Sequence, residues 1–129
     1  MSTSGISAPL VVRVELDDAT CMDGKHEIEL LWFADCPNHE TARSLLREVV
    51  DAVSPQSQIR DIDASDPAIA DRVRFPGSPT IRIDGRDVDP GFTDPGDYTP
   101  RCRIYWTDAG LRGVPPREWI EAALRCPRR

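Results

Sequence analysis

The stretch Glu27-Ile28-Glu29-Leu30-Leu31-Trp32-Phe33 constrains the chain most, because it opens in alternation and closes as a continuous apolar run. Alternation serves a strand with one buried face, whereas an unbroken apolar run needs cover on both. A strand entering the interior of a helix-covered sheet follows. After Pro37, residues Ala42, Leu45, Leu46, Val49, Val50 and Val53 recur at spacings of three and four, one helical stripe that Ser54-Pro55 ends.

The rest of the chain extends this pattern. Gln58 to Asp63 predicts a second short strand, and Ser65-Asp66-Pro67 supplies a helix cap and a first-turn proline for a helix to about Val73. Thr80-Ile81-Arg82-Ile83 alternates, Asp84-Gly85 is a two-residue hairpin signal, and Arg86-Asp87-Val88 returns. From Asp89 to Pro116 glycine, proline and aspartate predict a long loop, interrupted by a short strand at Cys102-Arg103-Ile104-Tyr105-Trp106. Arg117 to Arg125 closes the chain as an amphipathic helix carrying Trp119, Ile120, Ala123 and Leu124. Upstream, Leu10 to Leu16 alternates as an edge strand and Asp17 to Lys25 reads as a loop. The expectation is an α/β sandwich, ordered strand, helix, strand, helix, two strands, helix. Residues 1–129 form one domain, with a core at about 27–125 and residues 1–26 as an N-terminal extension.

Composition narrows the function. With 129 residues and 40% hydrophobic content the chain can bury a core, and 16 basic against 22 acidic residues, a net charge of -6, argue against nucleic acid or an anionic membrane as partner. Without an apolar membrane span or a signal-peptide start, a cytoplasmic location is expected. There the cysteines at 21, 36, 102 and 126 rest as thiols, and a disulfide among them is transient rather than structural.

Ala34-Asp35-Cys36-Pro37-Asn38-His39-Glu40 joins the apolar strand to the amphipathic helix. A cysteine at a helix start meets unpaired backbone N–H groups and the positive end of the helix dipole, both of which favour a thiolate. Pro37 suits the first turn because it lacks an N–H. His39 adds positive charge when protonated, or donates a hydrogen bond, and Asp35 opposes it. The competing reading makes Cys36 a small buried apolar residue and His39 a solvated one. Arg101 and Arg103 flank Cys102 and are candidates to stabilise its thiolate or bind an anion such as a glutathione carboxylate, unless nearby aspartates pair with them. Cys21, His26, Cys36 and His39 could form a zinc set, although their spacing matches no common finger. Cys126 lies in a basic tail with no role assigned.

The order of elements, Phe33-Ala34-Asp35-Cys36-Pro37 between strand and helix, and Gly77-Ser78-Pro79-Thr80-Ile81 leading into Asp84-Gly85 resemble the thioredoxin-like fold in its glutaredoxin and thioredoxin branches, over roughly three quarters of the chain. The resemblance implies a three-layer sandwich around a mixed sheet. It also implies a cis Pro79 beside Cys36, with Ser78, Pro79 and Thr80 leaving backbone groups free for an extended substrate peptide. The late connection then passes near Cys36, so Cys102 could act as resolving thiol. His39 replaces the second cysteine of the dithiol motif, which excludes exchange within that motif. Cys36-Pro37-Asn38 with Cys102-Arg103-Ile104-Tyr105 is also similar to small bacterial thioredoxin-like proteins, some labelled with mercury resistance.

Three functions follow from this sequence. The first is a thiol-disulfide oxidoreductase needing no cofactor, with Cys36 as nucleophile, Cys102 or an external thiol as resolving group, and protein or low-molecular-weight disulfides as substrates. The second is soft-metal binding, for example of mercury(II), by Cys36 and Cys102. The third is a degenerate thioredoxin-like domain that binds a protein partner without thiol chemistry.

Overall fold

The computed structural model describes residues 25–125, so the Leu10–Leu16 segment, Cys21 and Cys126 lie outside the described residues. The central strand is β1 (Glu27–Trp32), with β2 (Gln58–Asp63) parallel on one side and β3 (Thr80–Ile83) antiparallel on the other. The short β4 (Arg86–Asp87) returns beside β3, giving a mixed sheet ordered β2-β1-β3-β4. Leu30 sits opposite Asp61 of β2 and Ile81 of β3. Because side chains alternate across a strand, this register sends Ile28 and Leu30 to one face and Leu31 to the other.

Each face has its own core. On the first, Ile28, Leu30, Ile81 and Ile83 meet Ala42, Leu46, Val49 and Val50 of α1 (His39–Val53) and Ile120 and Leu124 of α3 (Arg117–Leu124). On the second, Leu31 packs with Ala64, Phe75 and Ala70 of α2 (Pro67–Arg72). The apolar end of β1 is buried for the reason its composition gives: helices cover both faces. No helix of the described residues is long and apolar enough to cross a membrane.

The helix ends show how local chemistry sets the boundaries. Asp66 accepts a hydrogen bond from the Ala68 amide at 2.9 Å and Pro67 opens α2, as the sequence predicts. Arg82 closes that helix, donating from its two terminal nitrogens to the carbonyls of Val73 and Arg74, each at 2.8 Å. α1 departs from expectation. It starts at His39, with Asn38 as its N-cap residue, so Pro37 lies before the helix rather than in its first turn. The chain from Phe33 to Asn38 is spent on a turn in which the Cys36 amide donates to the Phe33 carbonyl at 3.0 Å.

The long connection after β4 also differs from expectation. Its strand is β5 (Tyr105–Thr107), shifted toward the C-terminus, and it forms a hairpin with β6 (Gly110–Arg112) that the composition concealed. Residues 102–106 nevertheless alternate. Cys102, Ile104 and Trp106 are exposed, whereas Tyr105 is buried and Arg103 largely so.

The Tyr105 hydroxyl donates to the Pro79 carbonyl at 2.5 Å, and burial pushes its pKa above the ordinary phenol value. A folded-state pKa above the unfolded value means stability that is whole below about pH 10 and lost as pH rises further. Tyr105→Phe should flatten that alkaline decline, while costing about 1–3 kcal/mol at neutral pH by leaving the Pro79 carbonyl unpaired. Urea unfolding of both proteins across pH 7 to about 11 checks this, and identical alkaline slopes would contradict it.

Candidate functional site

Three segments converge on Ser78. The first is the turn after β1, held by the Ala64 amide donating to the Trp32 carbonyl at 2.7 Å and the Ala34 amide to the Ser65 hydroxyl at 2.9 Å. That turn presents Cys36 inward, only 3% exposed. The Cys36 thiol donates to the Ser78 carbonyl at 3.6 Å, and the Asn38 amide donates to the Cys36 sulfur at 3.3 Å. The sulfur therefore sits between a donor and an acceptor, both from backbone.

The second segment is Gly77-Ser78-Pro79-Thr80, in which the Ser78-Pro79 bond is cis. Gly77 has φ +133°, and a Cβ there would lie 2.8 Å from the Arg103 Cβ, so both backbone conformation and space require glycine. The Thr80 hydroxyl donates to the Gly77 carbonyl at 2.6 Å, which closes the turn.

The third segment comes from the long connection. The Ser78 amide donates to the Arg101 carbonyl at 2.8 Å and the Arg103 amide donates to the Ser78 carbonyl at 2.9 Å, so Cys102 forms a parallel bridge with Ser78. One residue thereby holds both cysteines, Cys36 through its carbonyl and Cys102 through its backbone pairing. Cys102 is exposed. Partial desolvation, the neighbouring Cys36 and Asp35 together push its thiol above the ordinary value. The flanking arginines do not offset this. Arg101 donates to the Asp97 carbonyl at 2.5 Å, and Arg103 forms a two-pronged pair with Asp87 at 2.7 and 3.0 Å.

Arg103 is thus built into the protein rather than held open for a ligand. Its guanidinium also donates to the Thr80 hydroxyl at 2.8 Å, approaches Asp89 at 3.6 Å and lies 4.4 Å from the centre of the Tyr105 ring. Burial is the largest single influence and disfavours its charge, but the Asp87 hydrogen bonds together with the charge interactions with Tyr105, Asp87 and Asp89 outweigh it and hold its pKa above the ordinary value. The expected substrate-binding roles change with it. Thr80 and Arg103 satisfy each other, and both backbone groups of Ser78 are taken by residues 101–103, leaving no free edge there for an extended peptide. Among the described residues the Ser78 hydroxyl is buried without a hydrogen-bond partner.

His39 is engaged elsewhere. Its ring stacks on Trp32 with centroids 4.7 Å apart, and Nδ1 lies 3.3 Å from an Arg43 terminal nitrogen. Arg43 in turn pairs with Asp61 at 2.8 Å, and the Trp32 indole N–H donates to the same carboxylate. Among the described residues no hydrogen bond joins His39 to Cys36; the amide that donates to the Cys36 sulfur is that of Asn38. His26 also belongs to another part of the molecule. Its Nδ1 contacts Asp84 at 2.5 Å and its Nε2 the Leu124 carbonyl at 3.0 Å, so both ring nitrogens are occupied and the zinc set loses a ligand.

Sequence reasoning missed Asp87, Tyr105 and the Arg101 carbonyl as the supports of the site. The alternation of residues 102–106 carried part of that signal, since it places Arg103 on the inward face with Tyr105 and Cys102 on the outward one. Compared with known proteins, the sequence matches no family model and no curated protein.

Proposed function

We propose that the protein is a thioredoxin-like thiol-disulfide oxidoreductase whose redox pair is Cys36 and Cys102. The observation that carries this reading is their shared anchor, Ser78, which bonds the Cys36 thiol and forms the bridge with Cys102. The sheet order β2-β1-β3-β4, the helix following Cys36 and the cis Pro79 support the thioredoxin-like part. A dithiol separated widely in sequence but meeting in space takes the place of the usual pair within one turn.

The chemistry needs only thiols. In the reduced protein the two sulfurs carry one proton each. Oxidation removes two electrons and two protons and forms one sulfur–sulfur bond, and an external disulfide accepts those electrons to become two thiols. Arg103, Tyr105 and Thr80 act as positioning residues that hold the Ser78 segment in place. A reducing, cytoplasmic setting would return the protein to its dithiol form.

The same two sulfurs suit a two-coordinate soft cation such as mercury(II), which is the second reading. Titration against mixtures of reduced and oxidised glutathione separates them, in a chain with Cys21 and Cys126 replaced by serine. The redox reading expects both thiols to be lost together in one two-electron step without a glutathione adduct, and Cys36→Ser or Cys102→Ser to abolish that step. Thiols that titrate singly as adducts, or not at all, would overturn it. Tight mercury(II) binding without the two-electron step would favour the metal reading.

A further inference from the structure

Resting on the assignment of Cys36 and Cys102 as the redox pair, we propose that exchange with external thiols and disulfides takes place at the Cys102 sulfur, with Cys36 as the buried resolving partner and low-molecular-weight thiols as the clients. This reverses the order suggested by the Cys36-Pro37 motif, and it follows from access. Cys36 is 3% exposed, with the Ser78 carbonyl and the Asn38 amide against its sulfur. Cys102 is exposed at the outward position of an alternating segment. An incoming sulfur must approach its target along the line of the bond being broken, which requires open space behind the attacked atom.

The choice of client follows from the backbone of Ser78. A peptide substrate adding to this segment as a strand would need its amide and carbonyl, and these already bond the Arg101 carbonyl and the Arg103 amide at 2.8 and 2.9 Å. The 101–103 segment is held there by the buried Arg103 pair with Asp87. What remains open is the outer side of Cys102, which a small thiol reaches without displacing any strand.

The steps balance as follows. In the oxidised protein an external thiolate attacks the Cys102 sulfur, forming a bond to it and breaking the bond between the two protein sulfurs. The electron pair departs on Cys36, where the Asn38 amide is placed to donate. A second external thiolate attacks the outer sulfur of the mixed disulfide, releasing a small disulfide and the Cys102 thiolate. The two protons given up by the external thiols end on Cys36 and Cys102. Run backwards, the same steps reduce a small disulfide. In the first of these steps the group expelled is Cys36 and not Cys102, whose thiol is pushed above the ordinary value by burial and the neighbouring Cys36; the Cys102 thiolate leaves only in the second step.

The test uses the full chain lacking Cys21 and Cys126, with glutathione disulfide as probe and adducts followed by intact mass. Cys36→Ser, which retains Cys102, should gain the adduct at least about tenfold faster than Cys102→Ser, which retains Cys36, and the two rates should converge in urea once access is equal. Faster native modification of Cys102→Ser would overturn the proposal. A peptide disulfide that exchanges more than about tenfold faster than glutathione disulfide with the wild-type pair would overturn its small-client part. Absence of any internal disulfide in the wild-type pair would instead overturn the underlying redox assignment, whichever sulfur reacts first.

Discussion

Replacing Arg103 with alanine should cost about 3–5 kcal/mol of stability, the range for breaking a buried ion pair from one side. The Asp87 side chain is only 2% exposed and that of Arg103 10%, so the carboxylate left behind could not recover its hydration. The same change removes the hydrogen bond to the Thr80 hydroxyl and the packing on Tyr105. Asp87→Asn should be nearly as costly, since it leaves the guanidinium short of countercharge and Asp89, at 3.6 Å, makes a longer contact. Arg103→Lys should recover only part of the loss, because an ammonium cannot span both Asp87 oxygens. Urea unfolding reads the effect as a lower midpoint with unchanged slope. A loss below about 1 kcal/mol would mean that the pair is hydrated and does not hold the segment. The consequence reaches the thiols: the Arg103 amide bonds Ser78, so an unpinned segment should also pair Cys102 with Cys36 less readily.

Oxidation should stabilise the fold by about 4 kcal/mol over the dithiol form, the chain-entropy value for closing a ring of about 67 residues. The ring runs from the turn after β1 to the segment before β5 and encloses α1, β2, α2 and the β3–β4 hairpin. Most of the described sheet is therefore constrained. The gain depends on the two cysteines meeting without rearrangement, and the bridge to Ser78 already positions Cys102 on the segment that Cys36 bonds. Unfolding midpoints of the oxidised and reduced chain, each lacking Cys21 and Cys126, measure it directly. Stability that falls on oxidation would show that closing the bond drags the chain out of this arrangement. By thermodynamic linkage, the same free energy makes the disulfide harder to reduce, so this measurement also bears on redox poise.

Much of the scaffold was legible because its signals are local. The apolar run of β1, the three-and-four stripe of α1 and the Asp84-Gly85 turn each depend on a few neighbouring residues, and each element stands where the pattern puts it. The α1 boundary was missed because Cys36 and Phe33 spend backbone groups on a turn, delaying the helix to His39. The hairpin of β5 and β6 was missed because Asp108-Ala109 lacks a strong turn signature and Leu111 stands alone between glycine and arginine. At the site, Cys36 and Cys102 could be named from the chain, but what surrounds them could not. His39 had an equally good partner in Trp32 across the loop, and Arg103 had one in Asp87 from another strand. Such pairings depend on tertiary position, and sequence spacing does not encode them.

The most direct test of the central claim is peptide mapping of the full chain after mild oxidation with glutathione disulfide, before and after return to a mild reductant. A Cys36–Cys102 link that dominates the oxidised sample and disappears on reduction is the result predicted here. Cysteines that remain as separate glutathione adducts, or a dominant link from Cys36 to Cys21 or Cys126, would contradict the account.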